Sequence, residues 1–349
     1  MKNEEYKIKN TKGTQAGNFT FYFSFLTVSL LFISGCTDSF QKPVNLPPPV
    51  SVNDLTPGAI QLIRAGLADP SPGVRVGAIE VIGTTKHVRL MPRVQRLLKD
   101  EFVPVRFAAA LAVGDLEYAL AERSVEQLLQ DQNENVRIAA AYAMYKLGSA
   151  DNLELIRQAI ASDDQIIRAN AALMLGKSGD KGALKLLWWT LGRNDSDDRV
   201  KFQAVEAIAM LGDERIYQQR LWPILISAYA DDRVIGTRAM GALGTVEAKN
   251  ALINMLDDNV LEVRLAAAEQ LGMLGDTSGE RVVLDVFTKN LIPPWDRTGR
   301  ERAKVLAALA IGQIGTRSVT RFLPQLLKDE SKFVRIAAAK AVLQCATKG

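Results

Sequence analysis

Small and apolar positions recur along this chain in a helical register that repeats about every 31 residues from Val74 to the C-terminus. Each recurrence carries a basic residue, usually after Val or Ile: Arg75, Arg106, Arg137, Arg168, Lys201, Arg233, Arg264, Lys304 and Arg335. With the residue before each of these as position zero, position four is Ala in eight units and Gly236 in the sixth. Position eight is always apolar, from Ile82 and Val113 to Ile311 and Val342. Positions zero, four, eight and eleven share one helical face, which is predicted to be buried. Position twelve is glycine in six units, from Gly148 to Gly315, and predicts a left-handed helix end. A shorter apolar helix precedes each of these, so every unit reads as helix–turn–helix. The first helix is predicted to start at Pro57, with Thr56 as its N-cap, and to end near Leu67. A fixed period of this length is the pattern of a solenoid whose units bury apolar surface only against their neighbours.

An aspartate stands six residues before the basic residue in six units: Asp69, Asp100, Asp131, Asp195, Asp258 and Asp329. The pattern Asp-x5-Arg-x2-Ala-Ala resembles the HEAT family, most closely its bilin-lyase-like subtype, over residues 57–349. The resemblance implies an all-α, right-handed solenoid of about nine helix pairs, with the Ala-rich helices on the concave side. It also implies a structural ladder of Asp and Arg side chains between successive units: Asp69 and Arg75, Asp100 and Arg106, Asp131 and Arg137, Asp258 and Arg264, Asp329 and Arg335. The fourth, sixth and eighth units depart from the Asp spacing.

Residues 1–35 read as an export signal. Lys2, Lys7, Lys9 and Lys12 precede an uncharged run from Phe19 to Ser34, which is short for a spanning helix. Ile33-Ser34-Gly35-Cys36 resembles a bacterial lipobox, which implies lipidation of Cys36; the competing reading is an uncleaved anchor. Residues 36–56 form a Pro-rich tether through Pro43, Pro47, Pro48 and Pro49, a composition that favours extended polyproline II. Thr37, rather than aspartate, follows Cys36, which by the enterobacterial rule favours the outer over the inner membrane. The expected location is the bacterial cell envelope, with the solenoid lipid-anchored in the periplasm or at the surface.

The formal charge of +4 halves once residues 1–35 are set aside, so no nucleic-acid footprint is expected. His87 is the only histidine, and no metal site or cofactor is expected around it. HEAT-like hydroxylases with a di-iron centre need several His-Glu pairs, so that activity is excluded. No phosphate-binding loop, dinucleotide motif or nucleophile motif is present. Cys345, at position eleven, reads as a small core residue. No catalytic residues are therefore assigned, and the chain is read as a non-enzyme.

Three surfaces are candidates for a protein partner. Leu111, Tyr142 and Leu173 at position six, with Tyr145 beside them, form an apolar stripe across units two to four, open either to a groove or to packing between units. Trp188 and Trp189 end an outer helix, and Trp189 falls where other units carry polar residues. The step of 40 residues between Arg264 and Lys304 marks an insertion within Asn290–Arg300, which offers Trp295, Arg297 and Arg300. The reading is a membrane-tethered scaffold that binds a protein of unknown identity in the envelope. The alternatives are an enzyme related to bilin lyases, or a structural protein that contacts peptidoglycan or lipid.

Overall fold

A computed structural model describes residues 46–292 and 296–348, all helix, turn or coil. Nine helix pairs follow one another among these residues. The inner helices of units one to five are Pro72–Thr84, Val103–Asp115, Glu134–Lys146, Gln165–Ser178 and Asp198–Met210. Those of units six to nine are Ala230–Leu243, Leu261–Met273, Arg297–Ile314 and Lys332–Lys348. Shorter outer helices precede them, among them Val52–Gly66, Asn152–Ala159, Val246–Met255 and Glu280–Thr288. None of the described helices is long and apolar enough to cross a membrane.

The first helix starts at Val52 rather than at Pro57, which lies inside it. Val52 and Leu55 pack on the core, and that burial extends the helix upstream of the proline. Pro57 is the sixth residue of this helix, past the four N–H groups that lack an intrahelical acceptor, so it withholds one bond from the Asn53 carbonyl, a cost that this burial offsets. The predicted helix ends hold. Gly148, Gly179, Gly212, Gly244, Gly275 and Gly315 all take positive φ. Lys86 and Glu117, which occupy position twelve in the first two units, are forced into the same left-handed region at φ 54° and 47°.

Consecutive inner helices touch along their small residues, forming one continuous layer. Position four is buried as predicted, with Ala78, Ala109, Ala140, Ala171 and Ala204 at 0% exposure. Position nine, outside the predicted buried face, is glycine in six units and also lies at helix contacts. At position nine, a Cβ on Gly176 would lie 2.7 Å from the Cα of Ala207, and one on Gly272 would lie 2.8 Å from the carbonyl carbon of Gln313. Backbones that approach this closely admit only glycine.

The rungs between units are built from one repeated geometry. Arg106 donates back to the carbonyl of Asp100 at 2.9 Å and forward to both oxygens of Asp131 at 2.8 and 3.0 Å. Arg233 does the same with the carbonyl of Ser227 at 2.9 Å and Asp258 at 2.7 and 2.9 Å. Arg75 reaches Asp100 at 2.9 Å, Arg168 reaches Asp195 at 3.2 Å, and Lys304 reaches Asp329 at 2.6 Å. Each acceptor carboxylate except Asp195 also takes a backbone N–H two residues on, as Asp131 does from Asn133 at 2.9 Å. That local turn holds the carboxylate in place before the arginine arrives.

Three rungs are not made. Arg137, Lys201 and Arg264 face units in which Ser162, Ser227 and Lys289 occupy the aspartate's place. Ser162 and Ser227 keep the turn, each accepting an N–H at 3.2 Å, but neither carries a charge for the preceding cation. Arg137 retains its own carbonyl bonds and a Glu134 contact at 3.5 Å, while Arg264 retains only the carbonyl of Asp258 at 2.8 Å.

The array does not stay open. The ninth inner helix packs on both helices of the first unit, where a following unit would stand. A Cβ on Gly66 would meet Ile336 Cδ1 at 2.9 Å, and Gly73 lies against the ring of Phe333. Asp69, the one ladder carboxylate with no preceding unit in sequence, is paired with Lys332 at 2.7 Å. The Lys332 hydrogen bond holds its carboxyl below the ordinary range, and the charge of Arg335 adds to this. The helical body, residues 46–348, is therefore a closed ring rather than an open superhelix.

Removing Arg233 leaves Asp258, 8% exposed, without its partner. Arg233→Ala should lower unfolding free energy by about 3 kcal/mol. Arg137→Ala, at a junction without a forward rung, should cost about 1 kcal/mol or less. Urea denaturation of the two variants checks the order, and equal losses would refute the ladder as drawn.

Candidate binding surfaces of the ring

Position six of the inner helices faces the centre of the ring. There Glu80, Glu206, Arg238, Glu269 and Lys340 join Leu111, Tyr142, Leu173 and Leu309. The charges interact around the opening. Glu269 of unit seven lies within electrostatic reach of Arg238 in unit six and Lys340 in unit nine. Glu80 of unit one lies within reach of Lys340 across the closure and of Lys177 in unit four. Burial leaves Glu269 7% exposed, and no ion pair or hydrogen bond is made by its carboxylate among the described residues. Burial raises its pKa above 4.5, and the two cations only partly oppose the rise. Glu80 keeps contact with solvent, yet the surrounding protein raises its pKa in the same direction.

The apolar stripe proves to be packed rather than open at its centre. Tyr142 is 2% exposed, with its ring against Gly114, where a Cβ would sit 2.7 Å from it. Its hydroxyl donates to Asp115 Oδ1 at 2.7 Å, and Lys177 of unit four pairs with Asp115 Oδ2 at 3.0 Å. Burial first, and then the Asp115 charge, push the Tyr142 phenol well above its ordinary range. This network ties units two, three and four together beneath the stripe. Leu111 and Tyr145 are half-buried against the core, and Leu173 is half-buried beside them. Tyr142 thus supports the surface and offers no ring to a ligand.

The two tryptophans divide. Trp188 packs on the core, donates Nε1–H to Asp213 at 2.9 Å and lies under the Arg215 guanidinium at 5.6 Å. The Arg215 hydrogen bond, assisted by that of Trp188, holds Asp213 down to about 2. Trp189 is 47% exposed, with the Arg193 guanidinium 4.5 Å above its ring. Of the pair, Trp188 is half-buried and Trp189 is the exposed ring.

The insertion is partly absorbed into helix. Arg297 begins an inner helix of 18 residues, longer than the 13 or 14 of units one to seven. Arg297 is exposed and Arg300 half-buried. Trp295 lies outside the described residues. The added turn makes contacts of its own. Glu301 accepts from the Ser331 hydroxyl at 2.6 Å, and Arg302 pairs with Asp231 of unit six, two units back around the ring. Cys345 is buried at 8% exposure, where burial raises its thiol to about 11.

A family model described as HEAT repeats matches residues 60–125, 121–209 and 153–235, and a HEAT repeat model matches residues 249–278. No curated protein matches the chain. Among solved structures, human deoxyhypusine hydroxylase is 17% identical, covering 76% of this chain and 99% of its own, with a TM-score of 0.38. The CpcE–CpcF complex of phycocyanin lyase from Nostoc sp. PCC7120 is 18% identical, covering 72% and 94%, with a TM-score of 0.42. Importin beta is 14% identical, covering 82% and 46%, with a TM-score of 0.34.

The unpaired state of Glu269 has a measurable sign. With its folded pKa above the unfolded value, the folded state binds the extra proton, so stability falls as pH rises through that window. Glu269→Gln should therefore raise the melting temperature at pH 7, and the gain should vanish below the ordinary glutamate pKa of about 4.3. Thermal melts across that range check it. A variant less stable at pH 7 would place Glu269 in a favourable ion pair instead.

Proposed function

Because the chain belongs to the HEAT-repeat family, we propose that it is a non-catalytic scaffold, tethered to a bacterial membrane through lipidated Cys36, that binds a protein partner in the envelope. The observation that carries this reading is where the recurrent charges go. The arginines and aspartates that repeat with the period are mostly spent joining one unit to the next or capping turns, as a framework requires. What remains for recognition is surface: the lined centre, the outer perimeter with Trp189, and the edge that bears Arg297 and Arg300. Such a ring offers many shallow contacts at fixed spacing, which suits a macromolecule better than a small substrate.

The tether rests on the lipobox resemblance and on the Pro-rich residues that follow it. Acyl chains contribute ~0.8 kcal/mol per buried CH₂, so two or more hold a protein at a membrane without a spanning helix. The absence of aspartate after Cys36 favours the outer membrane within this reading.

One experiment tests both halves. The full chain is expressed in a bacterium, crosslinked in native envelopes and recovered, alongside Cys36→Ala and a variant lacking residues 290–300. Acyl labelling and membrane retention are expected for the wild type and lost in Cys36→Ala; unchanged labelling would refute the tether. A discrete crosslinked protein is expected with the wild type, and recovery of none would refute the scaffold.

A further inference from the structure

The three junctions without a rung share a second feature. At each of them a cleft opens on the perimeter, between one unit and the outer helix of the next, and the unmatched cation lines it. The cleft at units seven and eight has a volume of about 580 Å³ and contains Arg264 and Lys289. That at units five and six is about 480 Å³ and contains Lys201, and that at units three and four is about 350 Å³ and contains Arg137, which lacks a forward carboxylate but keeps Glu134 of its own helix at 3.5 Å. The three recur in one register, at every second junction.

The charge inside the largest cleft is unevenly used. Of its acids, Asp258 is held by Arg233 and Asp285 by Lys289 at 2.9 Å, which leaves Asp257. Of its cations, Arg264 and Arg281 make no ion pair among the described residues. Between them lies an apolar floor of Ile253, Leu256, Val282 and Leu291. Ile253 and Leu291 are 39% and 37% exposed, more than buried packing requires. In the cleft at units five and six, Lys201 and Arg220 face Asp198 alone, because Arg193 is taken by Asp195. Phe202 and Ile224 supply its apolar wall.

We propose that these clefts receive an acidic segment of a partner protein, whose carboxylates take the places left empty in the ladder while its apolar side chains rest on the cleft floors. The argument is one of complementarity. At intact junctions the same arginine position binds a carboxylate at 2.7 to 3.2 Å, so the site's chemistry is displayed elsewhere in the molecule. The arginine at an open junction is already oriented by its own carbonyl bond, as Arg264 is by Asp258. Only the anion is missing. An extended chain with carboxylates interspersed among apolar residues fits a cation beside an apolar floor. The largest cleft ends at Leu291, at the start of the insertion. This inference rests on the scaffold reading and names the class of partner.

The ladder itself supplies the test. Lys289→Asp and Ser227→Asp place a carboxylate 25 and 26 residues after Arg264 and Lys201, where the intact rungs span 25 or 27. The double variant should therefore fill two clefts from within, at the expense of the Lys289–Asp285 pair and the Ser227–Asp232 hydrogen bond. The probe is a fluorescent peptide of alternating Asp and Leu, with Asn-Leu and Lys-Leu peptides as controls, titrated into the full-length chain by anisotropy. The wild type is expected to bind Asp-Leu at least tenfold tighter than either control, and the double variant to lose about tenfold, as one charged hydrogen bond predicts. Arg264→Gln should lose a similar factor.

Equal binding of the three peptides, or full binding by the double variant, would overturn the proposal. Phosphatidylglycerol vesicles binding in place of the peptide would overturn it in favour of lipid headgroups. Self-association abolished by Lys289→Asp without peptide binding would overturn it in favour of a second copy. If envelope crosslinking still finds a protein partner attached elsewhere on the ring, the clefts fail and the scaffold stands.

Discussion

A guanidinium that bonds its own turn behind it and a carboxylate ahead of it is the interaction on which this structure depends. The backward bond fixes the arginine relative to its own unit, and the forward bond fixes the next unit relative to that arginine. The receiving aspartate is itself held by a backbone N–H, so neither partner has much side-chain freedom left to lose on pairing. Arg106 and Asp131, both largely buried, show the arrangement in full. Buried pairs of this kind are costly to desolvate, and their contribution lies as much in fixing one geometry as in adding stability. Small residues do the rest. Ala at position four and Gly at position nine let consecutive inner helices approach at backbone distance, while the outer helices stand apart and the array curves inward.

Much of this is legible in the residues themselves. The period, the buried small position, the left-handed helix ends and the aspartates of the rungs are all local signals, each contained within one unit. Lys86 and Glu117 show how strong the local frame is, since they adopt the left-handed turn without being glycine. The glycines at position nine were equally readable, at Gly83, Gly114, Gly176, Gly241, Gly272 and Gly312, but they lie outside the face that helical periodicity marks as buried. Closure was not readable. It depends on the summed rotation of nine units and on a match between Asp69 and Lys332, 263 residues apart.

The candidate surfaces divide along the same line. Trp189 stands where a polar residue usually does, and it is exposed. Tyr142 lies off the buried face by register, yet Gly114 and Asp115 on the neighbouring helix provide both a space and an acceptor for it. Register alone cannot report that, because the neighbour decides it. The vacant rungs were visible as departures in spacing at the fourth, sixth and eighth units. That each leaves a lined cleft required the three-dimensional arrangement.

Closure also changes how the chain must be assembled and how it fails. An open repeat array can begin folding anywhere and spread, because every contact joins neighbours in sequence. Here the first unit keeps an apolar face bare until the last helix has been made, since Ile336 covers its outer helix at Gly66 and Phe333 its inner helix at Gly73. The loop closed at that step spans nearly the whole body, so its entropic cost falls late and on a single event. A chain stopped short by one unit would expose the matching faces of both ends at once, and each face is complementary to the end of another such chain. Loss of the final helix therefore turns a self-limited ring into a unit that can polymerise.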